Sequence, residues 1–377
     1  MSAASSSRPT RREFLAVTAG AAAAAAARVE ARAGTRAVTG ASGAPAARQA
    51  GGIRRLSNPG FLDLQVNGFA GVDFNDAATT TEQVHTALQA MRRHGVTGLL
   101  PTIITSTAEH FGRCARIVLG ANVKAILGIH MEGPYISAED GPRGAHAREY
   151  TRAASLDDFK RRQDAADGRI VLVTLAPEVP GAIPLIEHLR ATGIRVAIGH
   201  TGASPELIRD AVRAGATLST HLGNGCANMI PRHPNFLWEQ LAADDLMASL
   251  VVDGHHLPPA TVKAMIRAKT PERVILATDA ISAAGQPPGE YRLAGVKVRL
   301  DENGRVAVPG APNLAGSALT LDRAVANTVR FAGVPLEQAL AMASTRPAAY
   351  LGVRSQGTLD LEWDADSFTL RVLRASD

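Results

Sequence analysis

Ile194-Arg195-Val196-Ala197-Ile198-Gly199-His200 is a short apolar run that stops on a histidine, and Ala216-Thr217-Leu218-Ser219-Thr220-His221 is another. Between them Pro205–Ala214 sets Leu207, Ile208, Ala211 and Val212 along one helical face. Strand, helix, strand in that order is one β/α unit, and each strand here delivers an imidazole at its carboxyl end. The unit recurs on both sides. Apolar runs at 61–66, 97–103, 123–130, 170–176, 194–199, 216–220, 247–252 and 273–278 make eight candidate strands. Stretches with helical spacing lie between them, such as 81–94 with Val84, Leu88 and Met91 on one face, and 259–268 with Val262, Met265 and Ile266. Continuous apolar strands alternating with helices imply a parallel sheet covered on both faces. Eight such units over about 250 residues fit an α/β fold of the closed (β/α)8 TIM type better than an open sheet.

Polar side chains gather at the strand ends. Gln65 and Asn67 end the first strand, His130 and Glu132 the third, His200 the fifth and His221 the sixth. Asp253 with His255 and His256 ends the seventh, and Asp279 the eighth. In a closed parallel barrel these ends open on one face, so residues distant in sequence converge there. One such histidine is more often structural, whereas ionisable groups on five strands mark a site. Glu132, His200 and His221 offer one carboxylate oxygen and two imidazole nitrogens, a three-ligand set that leaves a position open for water. Zn2+ suits those donors, and Fe2+, Mn2+ and Co2+ fit them as well. Such an ion lowers the pKa of water towards about 7. Asp279 directly follows Val274-Ile275-Leu276-Ala277-Thr278. It is placed to take a proton from that water and pass it to a leaving amine; the competing reading is a helix N-cap. Gln65-Val66-Asn67 stands where many metal hydrolases on this barrel carry His-x-His. Neutral amides are poor zinc ligands, so one divalent ion is expected rather than two.

The chain has 377 residues, 46% of them hydrophobic and 20% charged, which rules out disorder as its main state. Two cysteines exclude a disulfide scaffold and a four-thiolate zinc site, and Cys114 and Cys226 are expected to be free. The net charge of +5 comes largely from the first 55 residues. With aromatics at 4%, no basic-aromatic stripe supports nucleic-acid binding. Thr10-Arg11-Arg12-Glu13-Phe14-Leu15, an Ala-rich stretch at 16–27 and Ala31-Arg32-Ala33 occur in the order of a charged region, an apolar region and a small-residue cleavage site. Residues 1–33 therefore read as a twin-arginine-type export signal, and the protein as periplasmic or extracytoplasmic. The alternative is an Ala-rich helix or extension after a misassigned start, with a cytoplasmic protein. Residues 34–52 read as a linker, 53–356 as the barrel and 357–377 as C-terminal strands. No stable membrane span is expected.

Several longer blocks follow one another: Pro59-Gly60-Phe61-Leu62-Asp63-Leu64-Gln65-Val66-Asn67-Gly68, His130-Met131-Glu132-Gly133-Pro134, Gly199-His200-Thr201, Thr220-His221-Leu222, Asp253-Gly254-His255-His256, Thr278-Asp279-Ala280 and Leu314-Ala315-Gly316-Ser317. In these blocks, over residues 59–357, the chain resembles the N-acetylglucosamine-6-phosphate deacetylase family of the amidohydrolase superfamily. The resemblance implies Glu132, His200 and His221 as metal ligands and Asp279 as the catalytic carboxylate. It implies that His146, in Gly144-Ala145-His146, contacts the substrate acetamide, and that Ala145 and Leu314, Ala315 and Gly316 also line the substrate site. Asn224 with the amide of Gly225, His256 and Arg232 would meet the sugar phosphate. The arginine at that place reaches into the neighbouring subunit's site, which implies a homodimer. A small β-domain from both chain ends is implied as well. It is expected to be reduced, because the signal and linker occupy the space before Pro59, and 358–373 would supply its remaining strands. The implied reaction turns N-acetylglucosamine 6-phosphate into glucosamine 6-phosphate and acetate. The alternative is the same chemistry on an unphosphorylated N-acyl amino sugar or an N-acyl amino acid outside the cytoplasm. A non-catalytic exported binding protein is the alternative of a different class.

Overall fold

The computed structural model describes residues 52–310 and 313–377. The export-signal reading of 1–33 and the linker reading of 34–52, Gly52 apart, lie outside the described residues. The described chain starts with β1 (Ile53–Pro59) and β2 (Phe61–Val66), followed by a small hairpin of β3 (Gly68–Phe69) and β4 (Val72–Asp73). Then come β5 (Val96–Ile104), β6 (Ile129–Glu132), β7 (Ile170–Leu175), β8 (Arg195–Ile198), β9 (Leu218–Ser219), β10 (Met247–Leu250) and β11 (Val274–Leu276). These seven and β2 form one eight-stranded parallel sheet, each strand beside its predecessor. The ring closes where β2 meets the residues after β11. Asn67 N–H donates to Ala280 O at 2.7 Å, and Asp279 N–H to Gln65 O at 3.0 Å. Asp63 reinforces this seam. Its carboxylate accepts from Gln65 N, Thr278 N and Thr278 Oγ1 at 3.2, 3.2 and 2.6 Å. Burial pushes the Asp63 pKa up to about 7 against those hydrogen bonds.

All eight expected strands are present, with one displaced. The third was expected at 123–130 and spans Ile129–Glu132 instead. Residues 123–127 run beside β5 with a single bridge, Leu99 to Ile126, and follow Asn122 in the left-handed region (φ 51°). Their apolar side chains pack without extending the ladder, and Glu132 is the last residue of the strand. The barrel interior is filled by Leu62, Leu64, Leu100, Leu172, Leu218 and Ile275. Helices cover the outside. Pro205–Ala214 starts with Ser204 Oγ accepting from Leu207 N and Pro205 in the first turn, and it buries Pro205, Ile208, Ala211 and Ala214. Among the described residues, no helix is long and apolar enough to cross a membrane.

Two features lie outside the barrel. A small antiparallel sheet, β12 (Gly289–Leu293), β13 (Val296–Leu300) and β14 (Val306–Ala307), was not expected; its strands carry charges at Glu290, Arg292, Lys297 and Arg299 and have no apolar run. The chain ends form the other sheet, in the order β1, β15 (Thr358–Asp364), β16 (Thr369–Ser376). Leu359, Leu361 and Trp363 alternate inward along β15. The expected C-terminal strands are thus joined by Ile53–Pro59 from the other end of the described chain.

One buried ion pair, on the helix Leu156–Ala165, ties together the segments that follow β5 and β6. Arg162, fully buried, donates to Asp158 Oδ2 at 2.9 Å and to Ser106 O at 3.0 Å, and Tyr135 Oη donates to the same Asp158 oxygen at 2.8 Å. Removing one partner of such a pair leaves an uncompensated buried charge. Asp158→Ala is therefore expected to lower the unfolding free energy by about 3 kcal/mol or more, read from the midpoint and slope of urea unfolding.

Candidate metal centre and active site

Glu132 ends β6, His200 and His221 follow β8 and β9, and all three are buried. Glu132 Oε1 lies 3.2 Å from His200 Nε2 and 3.1 Å from His221 Nε2, and the two Nε2 atoms are 3.1 Å apart. His200 Nδ1 is 2.8 Å from the carbonyl of Pro142. A carbonyl only accepts, so Nδ1 carries the proton and Nε2 presents a lone pair to the cluster. Among the described residues, these three are the group whose donor atoms could hold a metal ion. Burial raises the Glu132 pKa, but the hydrogen bonds and charges of the two histidines outweigh it and hold the carboxyl well below its usual range. Burial lowers His221, and Glu132 outweighs that and raises it. Each trend expresses a buried anion that calls for a positive charge among these atoms, and the donor set fits a divalent ion.

Asp279 stands beside this cluster. Its Oδ1 accepts from Asn67 Nδ2 at 2.7 Å and from Gln65 Nε2 at 3.3 Å. Gln65 Nε2 also donates to Glu132 Oε1 at 2.8 Å, so one amide bridges the two carboxylates. Where a second cation would need lone pairs, β2 presents N–H groups, which agrees with one ion. Burial, followed by the charge of Glu132, pushes the Asp279 pKa up to about 6.

The backbone is strained at the same places. His200, His221 and Asp279 have φ of 52°, 30° and 51°, in the left-handed region that non-glycine residues seldom occupy. Hydrogen bonds hold each one. His200 O accepts from Ser137 N at 3.1 Å, His221 N donates to Ser249 Oγ at 2.8 Å, and Asp279 O accepts from Ser317 N at 2.9 Å.

These residues form the floor of a cavity of about 260 Å3, at the small end for a ligand pocket. The walls bring together Ala145, His146, Asn224, Gly225, His256, Leu314, Ala315 and Gly316. His146 Nδ1 is 2.8 Å from Thr105 Oγ1, and its ring centroid lies 4.2 Å from that of His200. Burial, then the charge of His200, pushes its pKa down to about 3, so His146 is neutral. Of the adjacent pair, His256 lines the cavity, with Nδ1 held by Asp253 Oδ2 at 2.7 Å, while His255 turns away to Asn303 O. Arg232 is not among the lining residues and is exposed. Thr105, Ile104 and Leu293 also serve the site. Sequence reasoning missed them, since a threonine and two aliphatic residues carry no chemical signature. Cys226 lines the cavity as a free thiol, and its pKa is raised by burial.

Residues 58–372 match the amidohydrolase family. The chain belongs to that family. It is 37% identical over 344 residues to the human N-acetylglucosamine-6-phosphate deacetylase, covering 86% of this chain and 81% of that one. It is 35% identical over 303 residues to the N-acetylgalactosamine-6-phosphate deacetylase of Escherichia coli O157:H7, covering 78% of each. A solved structure of a mutant Mycobacterium smegmatis N-acetyl-D-glucosamine-6-phosphate deacetylase, in complex with N-acetyl-D-glucosamine-6-phosphate, matches with a TM-score of 0.79 at 30% identity over 85% of both chains. The amidohydrolase described here is thus an enzyme of the N-acetylglucosamine-6-phosphate deacetylase kind, from a metal-dependent family.

Gly225 shows how tightly the cluster is enclosed. Its φ is +57°, and a Cβ there would sit 2.9 Å from His200 Nδ1 and 3.1 Å from His221 Cε1. Gly225→Ala is expected to push both rings out of position and weaken divalent-metal affinity by roughly ten-fold, measured as metal retained per chain after dialysis against a graded chelator.

Proposed function

We propose that this amidohydrolase hydrolyses the N-acetyl amide of N-acetylglucosamine 6-phosphate, giving glucosamine 6-phosphate and acetate. The observation that carries this reading is the cavity floor, where three converging donors stand beside a carboxylate held by amides. Glu132, His200 and His221 would hold one divalent ion, Zn2+ first among Fe2+, Mn2+ and Co2+. When bound, that ion supplies Lewis acidity for the amide carbonyl and for water. Asp279 takes one proton of the attacking water and delivers it to the nitrogen as the C–N bond breaks, so the amine leaves neutral with acetic acid, whose remaining proton passes to the Asp279 carboxylate to give acetate. The Asn67 and Gln65 amides hold the carboxylate in place for both transfers. His146, whose Nδ1 pairs with Thr105 Oγ1, presents Nε2–H to the oxygen that becomes negative in the transition state in the tautomer where the threonine hydroxyl donates. Asn224, the Gly225 amide and His256 contact the sugar phosphate, and Ala145 with Leu314, Ala315 and Gly316 forms the apolar wall.

Arg232 completes the phosphate site from the partner subunit of a homodimer. Its exposure, together with the exposed Met229 and Ile230 on the same loop, supports this arrangement. A second reading has one specific support, the Arg11-Arg12 segment at 1–33: the protein is exported and acts on an unphosphorylated N-acyl amino sugar or an N-acyl amino acid.

The metal-loaded enzyme should release acetate from N-acetylglucosamine 6-phosphate. Asp279→Asn should abolish turnover while metal stays bound; full activity in that variant would refute the role of Asp279. In wild type, kcat/KM should fall on the acid side as the Asp279 carboxylate takes a proton. The inflection belongs at or below about 6, since a bound cation can only lower it. For the phosphate, kcat/KM should drop when the 6-phosphate is removed from the substrate, and Arg232→Ala should erase most of that difference. Mixing Arg232→Ala with Asp279→Asn subunits should restore activity, because one hybrid site then holds both groups. An unphosphorylated substrate preferred by wild type would favour the second reading.

A further inference from the structure

One loop wraps the imidazole of His200. Ser137 N–H donates to His200 O at 3.1 Å, and Pro142 O accepts from Nδ1–H at 2.8 Å. The His146 ring covers one side of the His200 ring. Residues 137–146 therefore set the backbone, the tautomer and a neighbouring face of a single metal ligand. The loop is tied to itself at Asp140. Asp140 Oδ1 accepts from Arg143 at 2.6 Å and from Arg148 at 2.8 Å, and Arg143 also donates to His146 O at 2.6 Å. Pro142 lies inside the stretch that this clasp closes. Asp140 itself is exposed and does not line the cavity.

We infer that Asp140 is a positioning residue for the metal centre: its ion pairs with Arg143 and Arg148 hold the Pro142 carbonyl against His200 Nδ1, so loop closure and metal binding favour each other. The inference rests on the reading of Glu132, His200 and His221 as metal ligands. A carbonyl on the distal nitrogen fixes the tautomer and orientation of a ligating histidine, and losing such a partner weakens the metal. With the loop open, His200 loses its acceptor and is free to turn its lone pair away. In the other direction, a cation on Nε2 makes Nδ1–H a stronger donor and draws the Pro142 carbonyl closer. Linkage requires the two effects to be equal in size. Exposed ion pairs are individually weak, so the coupling is a matter of several-fold rather than loss of the ion.

The test uses the full chain as wild type, Asp140→Ala and Asp140→Glu. Zn2+ affinity is measured by competition with a chromophoric chelator, and trypsin cleavage after Arg143 and Arg148 is timed with and without Zn2+. Asp140→Ala should weaken Zn2+ about five-fold, with Asp140→Glu restoring most of it. Zn2+ should slow cleavage in the wild type, and cleavage in Asp140→Ala should be faster at the same Zn2+ concentration. The thermal midpoint of the metal-free variants should match wild type, which separates positioning from general stability. Equal Zn2+ affinity in Asp140→Ala and wild type, or cleavage indifferent to Zn2+, would overturn this inference alone. A wild-type chain that takes up no ion would overturn the metal reading and this inference with it.

Discussion

Two imidazole nitrogens and a carboxylate oxygen meet within about three ångströms of one another in a buried place, and the rest of the site is arranged around that meeting. The His200 tautomer is fixed by the Pro142 carbonyl, so its Nε2 offers electrons. Two bare lone pairs and an anion at such distances repel unless a positive charge lies among them. A proton on His221 supplies part of that charge, in line with its raised pKa. A divalent ion supplies it more fully and replaces the proton. The fold brings three electron-rich atoms together, and only a cation makes that placement favourable.

Holding them there costs backbone strain. His200, His221 and Asp279 all sit at positive φ, each at roughly 1–3 kcal/mol. The left-handed residue at the end of each strand turns the side chain over the barrel mouth instead of leaving it on the barrel wall. Neighbouring strands and loops offset the strain through Ser137, Ser249, Gln65 and Ser317, whose hydrogen bonds pin the three turns. The seam at Asp63 and Thr278 does the same for the closing edge. Stability and chemistry therefore meet at the carboxyl ends of the strands, where a closed parallel barrel has its active face.

Much of this was legible in the sequence, and the division has a physical cause. Strand cores such as Val196–Ile198 are apolar because both faces are covered, and ionisable side chains stand out against them, so the barrel and the convergence of Glu132, His200, His221 and Asp279 could be read directly. The third strand was misplaced because Val123, Ile126 and Leu127 pack with a single bridge to Leu99, and apolar character alone does not distinguish packing from a ladder. β12 and β13 escaped because charged side chains on exposed short strands erase the pattern, and β14, Val306–Ala307, is too short to show one. Thr105 was invisible for a different reason. Its role lies in one hydrogen bond to a histidine 41 positions away, and nothing local records that. Arg232 was assigned through resemblance rather than pattern, and a single chain does not bring it to the cavity.

The remaining step is which carboxylate moves the proton. Three acidic side chains bear on the barrel seam and the cavity floor, Asp63 and Glu132 buried and Asp279 half-buried, and their surroundings drive them apart. Asp63 is pushed up to about 7, yet both its oxygens are engaged by Thr278 and Gln65 in the barrel seam, and it does not line the cavity. Glu132 is held well below the usual range by the two histidines, so it stays an anion and is a poor proton carrier. Asp279 lies between, at about 6, and it lines the cavity. Its Oδ1 is held by two amides, and among the described residues no protein donor reaches Oδ2. A group that is ionised at neutral pH but only slightly acidic both accepts and returns a proton readily. Where environments separate titratable neighbours in this way, they also assign their roles. In the proposed reaction, Glu132 is the permanent anion of the metal set and Asp279 the group that cycles.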